Sequence, residues 1–466
     1  MVSSQAHNLN KGVRFALLQM FYISCSIILF LLVALKNRLK DYWNYLTIFM
    51  TVVGVLFFQT HYGSFYTYVN ISDWKLNVVV IIMVLFLFTK WISEDTSFEV
   101  SALTLLLLLG ALMVVASEHL VIIYLAIELQ TFCVFVLIAK NKSSLKGAEA
   151  ALKYFILGAV SSGVLLLGIS LLLYEGFPLS IEGLRSDWTT VSALSQTGIL
   201  LIVVALIFKL AAAPFHFWIP DIYEGSSWSI IAIISTITKI SVIVVLQQIS
   251  FNVTLLGIIV IGSLIVGTFG ALNQSKLKRL LGYSGINHMG FILIGLLVLG
   301  THGYESMYGY LVIYFLLMFS ILGLAYLDWG AKDIFLVELG LYHNTNKILA
   351  FSWGVIFLSI AGIPPLSGFF SKWLMIVLLA DNGYLLTILV ALLVSAIGAG
   401  YYLRVVKINY FQKQSSYMIW NYALTQKKES QLSVTLLIGL TLYVSLFLIL
   451  NPQPLLSNFL LSCCLM

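Results

Sequence analysis

The stretch Val203-Val-Ala-Leu-Ile-Phe-Lys209-Leu-Ala-Ala-Ala-Pro214-Phe-His216 places a lysine in the middle of an apolar run. Pro214 removes a backbone hydrogen bond, and its ring crowds the carbonyl of Leu210. In lipid, a carbonyl freed in this way is tolerated only against protein or a watery cavity. The lysine and the helix break therefore mark one polar spot inside a membrane. A lysine at an interface could instead snorkel, but Lys209 lies mid-span.

Three further lysines fall inside apolar spans: Lys153, Lys239 and Lys372. Glu128 sits deep in Leu120-Val-Ile-Ile-Tyr-Leu-Ala-Ile-Glu-Leu129. Each charge costs roughly 2.5–3.5 kcal/mol at a bilayer centre, so the five would cost on the order of 12–17 kcal/mol if unpaired. The default reading of such a load is a proton or ion path. Gly362-Ile-Pro-Pro-Leu-Ser-Gly-Phe-Phe-Ser-Lys372 repeats the theme. Pro364 and Pro365 break that helix and free carbonyls near Ile360 and Ala361. The lysine precedes the break in the seventh span and follows it in the twelfth, as an inverted repeat would give.

Composition agrees. Hydrophobic residues make up 61% of the 466 residues and charged residues 9%, with mean hydropathy +1.01. That excludes a soluble domain, where about 25% is charged. The net charge of +6 is a topology signal and gives no reason to expect nucleic acid. Cys25, Cys133, Cys463 and Cys464 lack the spacing of a metal or haem motif and read as buried thiols. No dinucleotide fingerprint, phosphate loop or iron–sulfur set appears, so redox chemistry is not expected of this chain. The first apolar run is long enough to span, and no cleavable signal pattern is seen.

Fourteen apolar spans are expected, near 15–36, 44–60, 76–93, 99–117, 119–139, 149–174, 196–218, 226–249, 252–272, 284–300, 304–328, 347–380, 384–404 and 432–451. Odd-numbered loops then hold 17 Lys and Arg, and even-numbered loops hold only Lys75 and Arg185. Odd loops accordingly face the cytoplasm or matrix. Loop seven, with Asp221 and Glu224, is the exception. The expected all-α organisation is three leading helices (1–98), a first repeat of spans 4–8 (99–250), an inverted second repeat of spans 9–13 (251–408), and a loop with a last helix (409–466).

Several residues carry two readings. Lys153 could face Glu128 or pair within its helix with Glu149, four residues earlier. His216 could be a proton relay two turns beyond Lys209 or a locally bonded helix-end histidine. The same choice applies to His288. Ser235 and Thr238 could hold water beside Lys239. Lys276, Lys278 and Arg279 read as an anchor at the membrane edge. Glu118 and His119 read as ordinary turn residues. Burial favours the neutral amine and a nearby carboxylate favours the ammonium. Moving the carboxylate then lets the lysine release its proton.

Five stretches together resemble one family: Ile123-Tyr-Leu-Ala-Ile-Glu-Leu-Gln130, Glu149-Ala-Ala-Leu-Lys-Tyr-Phe-Ile-Leu-Gly158, Phe208-Lys-Leu-Ala-Ala-Ala-Pro-Phe-His-Phe-Trp-Ile-Pro-Asp221, Lys278-Arg-Leu-Leu-Gly-Tyr-Ser284 and Ala361–Lys372. The chain resembles the antiporter-like membrane subunits of NADH–ubiquinone oxidoreductase (respiratory complex I), in particular the subunit 2 and bacterial subunit N family. The resemblance implies fourteen transmembrane helices with broken seventh and twelfth helices. It implies a half-channel role for Glu128 and Lys209, a connecting role for Lys239 and an exit role for Lys372. Lys153 matches a lysine that subunit 2 carries on its sixth helix. Antiporter-like subunit 4 and small subunit 4L are the implied neighbours, with membrane lipid around them. NADH, FMN, iron–sulfur clusters and ubiquinone would lie in other subunits. The implied location is the mitochondrial inner membrane, or a bacterial plasma membrane. A cation/proton antiporter of the same superfamily is the alternative reading. A purely structural subunit is a third, and the buried charges argue against it.

Overall fold

The structure is a computed structural model. It describes residues 63–448 apart from 66–68, 94–96, 141–143, 186–191, 330–333, 342–345 and 413–431. The first two expected spans lie outside the described residues.

The rest is helical, save a short hairpin pairing Gly63–Phe65 with Val69–Ile71. Helices Asp73–Ile92, Phe98–Ala116, Leu120–Ala139, Leu145–Tyr174 and Ala193–Leu210 form spans three to seven. Trp228–Ser235 and Ile237–Gln248 share the eighth, interrupted at Thr236 (φ −123°, ψ −73°). Val253–Leu272, Leu277–Val298 and Thr301–Trp329 follow. The twelfth is divided into Lys347–Ala361 and Ser367–Asp381, and Leu385–Phe411 and Leu432–Phe447 complete the series. Among the described residues, ten helical stretches are long and apolar enough to cross a membrane. Helices are the form such runs must take, because lipid offers backbone groups no partner.

Two boundaries correct the expectation. The seventh span is broken as expected, but its helix is shorter than the expected 196–218. It ends at Leu210, Ala211 takes a left-handed φ of 54°, and a separate helix, Trp218–Gly225, follows the Pro214 turn. The tenth helix begins at Leu277, seven residues before the expected 284. Its early charges are satisfied: buried Lys278 donates to the Ser226 carbonyl (2.9 Å) and lies over the Trp228 ring (4.8 Å). They thus extend the helix.

The chain divides into two compact units. Among the described residues, one holds those up to Leu210 and Thr236–Asn252; the other holds Ala211–Ser235 and those from Val253 onward. The first unit thus holds the second half of span eight, Ile237–Gln248, and the other unit holds its first half, Trp228–Ser235.

Within each unit, loop contacts join loops of like parity. In the first unit, Leu120 N–H donates to the Leu179 carbonyl and Ile181 N–H to that of Glu118, linking loops four and six. Ser250 N–H reaches the Leu184 carbonyl, linking loops eight and six. In the second, Leu277 and Leu336 bond to Ile334 and Ser275, linking loops nine and eleven. Lys276 and Arg279 pair with Glu224, and Arg279 also with Asp221 at 3.5 Å. That network explains the acidic seventh loop: its carboxylates neutralise the basic ninth.

Small residues allow the closest helix approach. A Cβ at Gly168 would lie 2.7 Å from the Gly198 carbonyl oxygen, so spans six and seven meet backbone to backbone. At Gly368, an added Cβ would fall 1.7 Å from the Ser359 carbonyl oxygen, where the twelfth span doubles past its own break.

Candidate functional site

In the first unit, Glu128 on the fifth span faces Lys209, in the last turn of Ala193–Leu210. Lys209 Nζ lies 3.9 Å from Glu128 Oε1, and both side chains are largely buried. That distance makes an ion pair but not a hydrogen bond. Neither Lys209 Nζ nor Glu128 Oε1 has a hydrogen-bond partner. Thr131 Oγ1 lies 3.5 Å from the other carboxylate oxygen and donates to the Glu128 carbonyl at 2.9 Å. A loosely held pair of this kind can exchange charge states with little bond breaking.

Lys209 thus meets Glu128. Lys153 instead pairs within its helix, Nζ to Glu149 Oε1 at 2.6 Å, and its side chain is 40% exposed. Lys239 is 1% exposed, two residues into the helix that restarts at Ile237. The Ser235 hydroxyl is turned to the Ala232 carbonyl. The polar side-chain contact nearby joins Ser241 Oγ to Gln130 Oε1 at 3.2 Å.

In the second unit, Lys372 donates to the carbonyls of Ile360 (2.9 Å) and Ala361 (2.7 Å) and lies over the Phe291 ring at 5.9 Å. Helix Lys347–Ala361 ends on Gly362, left-handed at φ 84°. Pro364 and Pro365 lack the N–H groups that would have bonded those two carbonyls. His216 follows the Pro214 turn, buried and tilted against Phe217 with ring centroids 4.3 Å apart. The helix carrying Lys209 ends before it, so His216 does not lie two turns along that helix. His288 is mid-helix and buried, with Nδ1 2.8 Å from Tyr310 Oη and Nε2 3.4 Å from Tyr402 Oη. It is no helix-end donor.

Some buried charges escaped the sequence reading. Lys75, assigned to a loop, is buried 2.6 Å from Glu118. Lys90, also counted with a loop, sits in the last turn of Asp73–Ile92 and is 5% exposed. Its Nζ donates to Thr104 Oγ1 at 2.7 Å and lies over the Phe86 ring. The signal was present, because Lys90 falls within the apolar run 76–93.

The family described as NADH:quinone oxidoreductase/Mrp antiporter, TM, matches residues 117–398, which carry all of the charges proposed for transport. The chain belongs to the NADH:quinone oxidoreductase/Mrp antiporter transmembrane family. Within this family it is 38% identical to NADH-ubiquinone oxidoreductase chain 2 of Metridium senile, over 76% of this chain and 94% of that one. It is 32% identical to NADH-quinone oxidoreductase subunit N of Parvibaculum lavamentivorans, over 77% and 75%. A chain in respiratory complex I from Thermus thermophilus shares its fold, with TM-score 0.83 and 24% identity over 94% and 98% of the two chains. A chain of the Mrp complex from Dietzia superposes with TM-score 0.81 and 17% identity over 96% of each. Membership makes the chain a multi-pass membrane protein of the antiporter-like type.

Proposed function

We propose that this chain is the chain 2/subunit N membrane subunit of a proton-translocating NADH:quinone oxidoreductase. It carries protons through buried lysines and a carboxylate while NADH oxidation and quinone reduction proceed in other subunits. The observation that carries this reading is the loose Glu128–Lys209 pair at 3.9 Å, buried on two packed spans. Withdrawal of either partner destabilises the charge of the other, which couples a change in charge to a proton shift. Lys239 continues the path in the first unit, and Lys372 takes the exit role. Lys153 and His216 join the set from the resemblance; Lys153 on its half-exposed face would act at a boundary with another subunit.

The cofactors of electron transfer belong to the other subunits on this reading. Antiporter-like subunit 4 and small subunit 4L are the proposed neighbours, and the mitochondrial inner membrane the proposed location. Chain 2 relatives, including that of Metridium senile, are named for ubiquinone reduction. A cation/proton antiporter is the second reading, favoured by the fold shared with the Mrp complex.

Mild-detergent extraction and a native gel, stained for NADH dehydrogenase activity and probed for this chain, test the proposal. Comigration with a large active band is expected. Migration in a small, NADH-inactive assembly would overturn it in favour of the antiporter.

A further inference from the structure

We propose that Glu305, with His302, forms the outer-side end of the proton path beyond Lys372. The proposal rests on the proton-carrying reading above and adds two residues to it. Glu305 lies one turn into helix Thr301–Trp329, which starts from the even-numbered tenth loop. It is 7% exposed, and its Oε1 has no hydrogen-bond partner. Its other oxygen, Oε2, lies 3.4 Å from Nδ1 of His302, whose side chain is 85% exposed. A buried carboxylate thus touches a titratable ring that reaches outward. A surface ion pair does not need one partner buried, and burying a carboxylate costs unless it is paired.

The place of the pair along the helix links it to Lys372. Lys372 Nζ lies over Phe291, and Phe291 stacks on Tyr310 with centroids 5.8 Å apart. Glu305 precedes Tyr310 by five residues, about 7.5 Å of helix rise towards the outer side. Its helix packs against Leu277–Val298, Ser367–Asp381 and Trp228–Ser235, among others. Those three helices bring His288, Lys372 and Asp381 as titratable groups towards the outer half, and Asp381 is exposed. Tyr304, Tyr308 and Tyr310 lie on the same helix as Glu305. Glu305 is therefore the buried carboxylate between Lys372 and the outer surface on this helix. The Lys372 ammonium gives up its proton and becomes the amine. The Glu305 carboxylate takes that proton and becomes the acid. The proton then passes to His302 and on to solvent.

The test uses the whole complex, assembled with Glu305→Gln, Glu305→Asp, His302→Gln or Lys209→Met and reconstituted into liposomes. Proton translocation and NADH oxidation are read together, normalised to assembled complex. Glu305→Gln is expected to lower translocation about tenfold, the low side of the loss on removing a proton-transfer group. Glu305→Asp should restore most of it, and His302→Gln should slow it less. A carboxyl band in infrared difference spectra, present in wild type and absent in Glu305→Gln, is also expected. Normal translocation by Glu305→Gln beside an impaired Lys209→Met would overturn the Glu305 assignment alone. Normal translocation by Lys209→Met would remove the underlying proton reading. Should Glu305→Gln fail to assemble, failed rescue by Glu305→Asp or absence of the infrared band from wild type would overturn the proposal.

Discussion

Lys372 donates to the carbonyls of Ile360 and Ala361, at 2.9 and 2.7 Å, and these are the two carbonyls that Pro364 and Pro365 leave without helical donors. One side chain thus completes the hydrogen bonding of a broken span and places a removable proton there. Structure and chemistry can be separated at this position. Lys372→Met leaves both carbonyls bare, at about 1–3 kcal/mol each, and is expected to lower the yield of assembled complex. Lys372→Arg can still donate but does not give up its proton. It should assemble better than the methionine variant yet translocate about tenfold slower than wild type. Native-gel yield and liposome pumping read the two effects.

The Glu128–Lys209 pair predicts non-additivity. Glu128→Gln and Lys209→Met should each cut proton translocation by about tenfold or more. The double variant should lose little beyond the worse single one, because the partners act as a unit. Multiplicative losses would show that the two groups act independently. Lys153→Met should be milder than Lys209→Met, since a half-exposed pair is worth only about 0–1 kcal/mol.

Lys90 and Thr104 form a second pair with a measurable cost. Thr104→Val removes the acceptor of a buried ammonium and should destabilise the chain by about 1.5–3 kcal/mol. Adding Lys90→Met removes the stranded donor as well and should recover most of that loss. Thermal denaturation of the assembled complex, run as a double-mutant cycle, checks this; equal stability of the Thr104→Val single and double variants would contradict it.

Packing supplies a last prediction. Gly168→Val puts a branched side chain where a Cβ alone would lie 2.7 Å from the Gly198 carbonyl oxygen, whereas a Cβ at Gly158 meets nothing within 4 Å. Overpacking costs about 1–3 kcal/mol and more where backbone must move. Gly168→Val should reduce assembled complex on native gels while Gly158→Val leaves it near wild type.

Much of the candidate site was legible in the chain because lipid makes charge conspicuous. Lys209, Lys239 and Lys372 stand out in apolar runs, and all three lie in buried settings. The carbonyls freed by Pro364 and Pro365 followed from proline chemistry, and the structure puts Lys372 on both. For Lys153 two partners stayed open, because a run of apolar neighbours does not say which helix face a residue occupies; the structure shows the pair with Glu149. Lys90 was hidden by its place at the end of a run, where a lysine resembles a topology anchor. Glu305 escaped because it stands at the very start of the expected span 304–328, where an acidic residue reads as part of the loop.

The sequence by itself determined the membrane class, the described spans, the two broken helices and the pattern of loop charges. Those are local or one-dimensional properties: hydropathy, proline's missing donor, and charge counted by loop. Tertiary structure decided which charges meet. It set Glu128 against Lys209 and left Lys153 to Glu149. It ended the seventh helix at Leu210 and buried Lys90 against Thr104. Such choices depend on the rotation of each helix about its axis and on its packing partners. A single chain of letters specifies neither until the helices are packed.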